Sequence, residues 1–110
     1  MTTNPNADVE IQALLADLWK KHLPSMRDRL NLLEQAASSA YGGSLGKEQC
    51  EEAMSVAHKL AGNLGMFGHN EAGAIASEIE QVYKNLSPET VVQLAALTRK
   101  LRQSLEPHLA

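Results

Sequence analysis

Cysteine is almost missing from this chain: Cys50 stands alone, so no internal disulfide can form, and a reducing compartment is the expected setting. Cys50 precedes Glu51 and Glu52, whose charges disfavour a thiolate; a small buried helical residue is expected there rather than a catalytic thiol. Positive charge is also scarce. Ten Lys and Arg against thirteen Asp and Glu give a formal charge of −3, and the basic residues are scattered, which excludes a surface built to neutralise nucleic-acid phosphates. No apolar run approaches the roughly 18 residues of a membrane span, and residues 1–6 are polar, so a cytoplasmic protein is expected. Repeats, low-complexity tracts and useful strand patterns are lacking as well.

What remains is helical periodicity. With 110 residues, 44% of them apolar, the chain suits one domain able to bury roughly two-thirds of its unfolded surface. Residues 1–6 read as a disordered tail and 7–110 as the domain. Asn6 or Asp8 can cap a first helix carrying Ile11, Leu14, Leu15 and Leu18 on one stripe and running to about Leu23. Pro24 lacks an amide proton but tolerates a first-turn position, so a second helix is expected to restart there, with Met26, Leu30, Leu33, Ala36, Ala37 and Ala40 aligned.

Three glycines after Tyr41, namely Gly42, Gly43 and Gly46, break the pattern and predict a turn. A third helix over about Lys47 to Leu64 places Cys50, Ala53, Met54, Ala57, Leu60, Ala61 and Leu64 at core spacings, and Gly65 and Gly68 bracket a break. A fourth starts near Asn70 with Ile75, Ala76, Ile79, Val82, Tyr83 and Leu86 on one side. Ser87-Pro88 opens a fifth, which keeps Leu94, Leu97, Leu101 and Leu105 in line. The fold class expected is all-α: an antiparallel up-and-down four-helix bundle from helices two to five, with the first helix packed across one end.

His58 lies roughly 110° from the centre of the third helix's apolar stripe, at the edge of the buried face, where the body can support the ring while one nitrogen stays open. Gly62 follows one turn later on the same side, in a helix interior where glycine costs about 1 kcal/mol relative to alanine. Spacing leaves two reasons open: tight packing against a neighbouring helix, or room for another protein's backbone or a phosphoryl group to approach the imidazole. His22, His69 and His108 lack the paired spacing of a metal motif and read as surface or loop residues, with His69 placed to touch a docked partner. Met66 could contribute to an apolar rim around His58. No Ser-His-acid set or activated thiol supports a hydrolytic or redox enzyme.

Ala57-His58-Lys59-Leu60-Ala61-Gly62, followed by Leu64-Gly65-Met66-Phe67-Gly68, resembles the signature of histidine phosphotransfer domains. Weaker agreement runs from about Val9 to Leu105 and includes Pro24 and the Ile79-Glu80 pair. The resemblance implies a phosphorelay carrier of two-component signalling: His58 takes a phosphoryl group from a receiver-domain aspartate and passes it on, without kinase activity toward ATP. It implies a response-regulator receiver or hybrid histidine kinase as partner, no intrinsic cofactor or metal, and Mg²⁺ on the receiver. Glu80 matches the residue that orients the imidazole in the family, an isolated surface glutamate being the alternative.

Ala61 departs from the pattern, because the family often carries a lysine three residues after the histidine. Lys59, next to His58 in sequence, is a further candidate binding residue, although it lies about 100° around the helix. Lys84, four residues after Glu80 and on its face, is the candidate substitute, the alternative being an exposed pair worth about 0.3 to 0.5 kcal/mol. The loss of that lysine keeps a second function in play: a phosphotransfer-deficient module that only binds a receiver or another signalling protein. A monomer is expected.

Overall fold

Gly43, Gly68 and Ser87 mark where the chain turns. In the computed structural model, which describes residues 5–109, they separate α1 (Pro5–Tyr41), α2 (Lys47–Met66), α3 (Asn70–Lys84) and α4 (Pro88–Leu105), the last running into a 3-10 turn at Glu106–His108. Among the described residues there is no strand.

Both glycines hold a left-handed conformation, φ +76° at Gly43 and +83° at Gly68. At each, the amide one residue on reaches back five residues: Ser44 N donates to the Ser39 carbonyl at 2.8 Å, and His69 N to the Leu64 carbonyl at 2.8 Å. The glycine amides themselves bond three residues back, to Ala40 and Gly65. This is the Schellman arrangement, which satisfies the last carbonyls of a helix and suits glycine because no Cβ opposes the positive φ. Gly65, expected to begin the break, instead lies inside α2, which continues to Met66. Ser87 caps α4 with a capping box: Thr90 N donates to Ser87 Oγ at 3.3 Å, and Ser87 N to Thr90 Oγ1 at 2.8 Å, with Pro88 in the first turn.

The separate helix expected before Pro24 is not there. α1 is one helix of 37 residues with Pro24 inside it, about 55 Å long at 1.5 Å per residue, which matches the 54 Å longest extent of the molecule. Pro24 leaves the Lys20 carbonyl without its intrahelical donor, but both residues are exposed, so water can take that place. Leu23 and Met26 are buried on either side of it. Slightly upstream, Trp19 Nε1 donates to the His108 carbonyl at 2.7 Å. Packing on both sides thus holds the helical path through a residue whose local rule favours a break. Of the tail expected over residues 1–6, residues 1–4 lie outside the described residues, and 5 and 6 stand in the first turn of α1.

Among the described residues the helix backbones approach one another in the ring α1, α2, α3, α4 and back to α1. The core between them is aliphatic: Met26, Leu30 and Leu33 from α1, Leu60 and Leu64 from α2, Ile79 from α3, and Leu94, Leu101 and Leu105 from α4 are all essentially fully buried. Each such side chain contributes roughly 1.5 to 3 kcal/mol by leaving water. Because Ala57 and Leu60 are both buried with no exposed surface, the rotation of α2 is fixed, and with it the direction in which residue 58 points.

Candidate functional site

His58 stands in the middle of α2 with 74% of its side chain exposed. The ring is anchored on one side only. Its Nδ1 lies 3.0 Å from Oε2 and 3.2 Å from Oε1 of Glu80, a residue of α3 that is buried apart from 8% of its surface. Glu80 was a candidate orienting residue, and the structure brings it to His58 across the α2–α3 contact. That contact is close because Gly73 has no side chain: a Cβ there would lie 3.3 Å from the Ala61 carbonyl oxygen and 3.7 Å from Leu64 Cβ. Gly73 went unnoticed in the sequence; its signal is a glycine in the interior of a helix, which usually marks a close approach.

Burial alone would push the Glu80 carboxyl upward. The hydrogen bond from His58, the charge on His58 and the charge on Lys84 outweigh it, and the group is held below its ordinary value of 4.5. At neutral pH Glu80 is therefore a carboxylate with acceptors only, and the proton of the His58–Glu80 hydrogen bond belongs to Nδ1. In the neutral ring this leaves Nε2 with its lone pair free and, given the exposure of the side chain, directed to solvent.

Lys84 lies one turn along α3 from Glu80, its Nζ 3.5 Å from Oε2, and it is half exposed. The oxygen that faces His58 Nδ1 thus also faces an ammonium. Lys59 is exposed, and no hydrogen bond or ion pair engages it among the described residues. Ala61 is half-buried against the core. Gly62 is exposed, and a Cβ built on it would meet nothing within 4 Å, so its missing side chain serves no packing within the chain. Met66, at the end of α2, is 58% exposed.

The remaining candidates lie elsewhere. Cys50 is half-buried near the start of α2, with its Sγ 3.8 Å from the Tyr83 carbonyl. His69 lies in the connection between α2 and α3, as expected, and is half-buried: its ring centroid lies 4.6 Å from that of Trp19 and 4.5 Å from that of His108, and Phe67 meets Trp19 edge-on at 5.2 Å. Burial first, and the neighbouring charge of His108 second, hold the His69 imidazole below its ordinary value. Among the described residues no group of three or more His, Cys, Asp or Glu could hold a metal ion. None of their helices is long and apolar enough to cross a membrane.

His58 is thus an exposed histidine whose Nδ1 faces a buried carboxylate on the neighbouring helix. The family profile described as Hpt domain matches residues 17–106. The chain belongs to the Hpt domain family. This Hpt domain is 30% identical over 97 residues to Protein RcaC of Microchaete diplosiphon, a match covering 86% of this chain and 15% of RcaC. The chain therefore spans only a small part of that relative's length. No solved structure matches it significantly. Membership assigns the Hpt domain to two-component phosphotransfer in general.

Proposed function

We propose that this Hpt domain carries a phosphoryl group on Nε2 of His58, taking it from the aspartyl phosphate of a receiver domain and passing it to another. The observation that carries the reading is the double approach of the Glu80 carboxylate to His58 Nδ1, at 3.0 and 3.2 Å, on a ring otherwise open to solvent. In the forward step the Nε2 lone pair attacks phosphorus, the N–P bond forms, and the P–O bond to the aspartate breaks to leave its carboxylate. The proton stays on Nδ1, so the ring becomes cationic, and the Glu80 carboxylate stabilises that charge as it develops. Donation is the same step reversed.

The receiver supplies its acidic pocket and Mg²⁺; this chain supplies an oriented nucleophile and a clear path to it. Open space over Gly62 supports the path, since a side chain one turn from His58 would stand in the way of a docking backbone. Lys84, beside Glu80 Oε2, supports the phosphoryl oxygens in place of the lysine that Ala61 does not provide. The connections between helices, residues 42–46, 67–69 and 85–87, are short enough to reverse direction each time, so the four helices are taken as an antiparallel up-and-down bundle. The setting expected for the relay is the cytoplasm.

The competing reading, a module that binds a receiver without accepting its phosphoryl group, rests on Ala61. One experiment separates them: incubation with a receiver labelled by a small-molecule phosphodonor. Carriage predicts an acid-labile, base-stable label on the chain that His58→Gln abolishes. Receiver binding without label, binding that His58→Gln leaves intact, would establish the other.

A further inference from the structure

The first turns of α1 carry an apolar stripe that the described residues leave largely exposed. Ile11 and Leu14 are 56% and 59% exposed, Leu15 and Leu18 are half-buried, and no residue from 8 to 22 is fully buried. Most of this stretch precedes residue 17, where the family match begins. At 100° per residue Ile11, Leu14, Leu15 and Leu18 form one stripe about 100° wide. Residues 8–18 give roughly three turns, about 16 Å of helix.

The charges beside the stripe identify the occupant. Glu10 and Lys21 lie on the same flank, about 90° and 70° from its centre, and Asp8 lies about 70° away on the other. When two copies of a helix pack antiparallel about a two-fold axis, like flanks face each other; packed parallel, opposite flanks do. Antiparallel pairing centred near Leu15 sets Leu14 and Leu15 beside their counterparts, Ile11 against Leu18, and Glu10 of each copy beside Lys21 of the other. Parallel pairing sets Asp8 against Glu10 at nearly the same height, carboxylate against carboxylate. Neither Glu10 nor Lys21 is ion-paired within its own chain among the described residues.

We infer that this face is a self-association surface: two copies of the chain join through the N-terminal turns of α1, antiparallel, with Ile11, Leu14, Leu15 and Leu18 in the seam and two Glu10–Lys21 pairs flanking it. This inference departs from the monomer expected from the sequence. His58, two turns back from the end of α2, lies outside the seam.

Sedimentation equilibrium of the full chain tests this directly. Over about 10 μM to 1 mM, the range of a small interface, the average mass is expected to rise from 11.9 kDa toward twice that value. Leu14→Glu, at an exposed position, should keep the wild-type circular dichroism spectrum and hold the mass at 11.9 kDa throughout. Glu10→Lys and Lys21→Glu should each weaken association at low salt by about tenfold, and the double variant should restore it. A wild-type chain that stays monomeric over the whole range overturns the inference and leaves the face to a different partner. A dimer indifferent to Leu14→Glu, or a double swap that fails to restore association, overturns it equally.

Discussion

Both carboxylate oxygens of Glu80 lie within hydrogen-bonding distance of His58 Nδ1, at 3.0 and 3.2 Å, although the residues are 22 positions apart and on different helices. A buried acid thus faces an exposed base.

Glu80→Gln keeps an acceptor for Nδ1–H but removes the negative charge opposite the developing imidazolium. Glu80→Ala removes both. Stopped-flow transfer from a phosphorylated receiver should slow by about tenfold in the first and about a hundredfold in the second, following roughly 1.4 kcal/mol per tenfold. Equal rates in wild type and Glu80→Ala would remove Glu80 from the mechanism.

Lys84→Ala should shorten the lifetime of phospho-His58 and slow the transfer, each by a few-fold, because the site loses the ammonium beside Glu80. Lys84→Arg should recover part of both. If the alanine variant changes neither quantity, Lys84 is an exposed partner of Glu80 and nothing more.

Gly62 separates folding from docking. Gly62→Ala fills open space in an exposed helix interior and should stabilise the chain by about 1 kcal/mol in urea unfolding. Gly62→Phe should unfold at a denaturant concentration close to that of wild type while phosphotransfer from a receiver falls at least tenfold. A bulky variant that transfers normally would mean the partner approaches from another side.

His69 makes stability depend on pH. Its folded-state pKa is held below 6.5 by burial and by His108, so the unfolded chain binds more protons between the lowered value and 6.5. The stability this contributes is fully present above 6.5 and declines as pH falls through the lowered value. NMR titration should place the His69 midpoint below that of a free imidazole, and His108→Ala should raise it. Urea midpoints should show a weaker loss between neutral and mildly acid pH in His69→Phe than in wild type.

The helix content was largely legible in the amino-acid order because burial follows the 3.6-residue period: Leu60 and Leu64 in α2, and Leu94, Leu101 and Leu105 in α4, stand where their spacing predicts. The capping of α4 by Ser87 and the left-handed Gly68 were equally readable, since both depend on residues close in sequence. Pro24 misled for the complementary reason. Its local preference is overridden by Leu23, Met26 and the bond from Trp19 to a carbonyl 89 residues away, and no local pattern contains that partner. The stripe at Ile11 and Leu14 was visible, but its exposure was not, because whether a face is covered depends on where the other helices end.

At the site the position of His58 could be read from helix geometry, whereas the pairing with Glu80 rested on family resemblance: a contact across 22 residues leaves no trace in spacing. Gly62 was ambiguous between packing and access until the space around it was known, and Gly73, the glycine that does serve packing, drew no notice.

The central claim is that Nε2 of His58 carries the phosphoryl group. Phosphorus NMR of the chain after transfer from a phosphorylated receiver tests it most directly. A single phosphoramidate resonance of Nε2-linked phosphohistidine, absent in His58→Gln and discharged when fresh receiver is added, is the result predicted. A resonance that persists in His58→Gln, or none at all while the receiver still binds, would contradict the account.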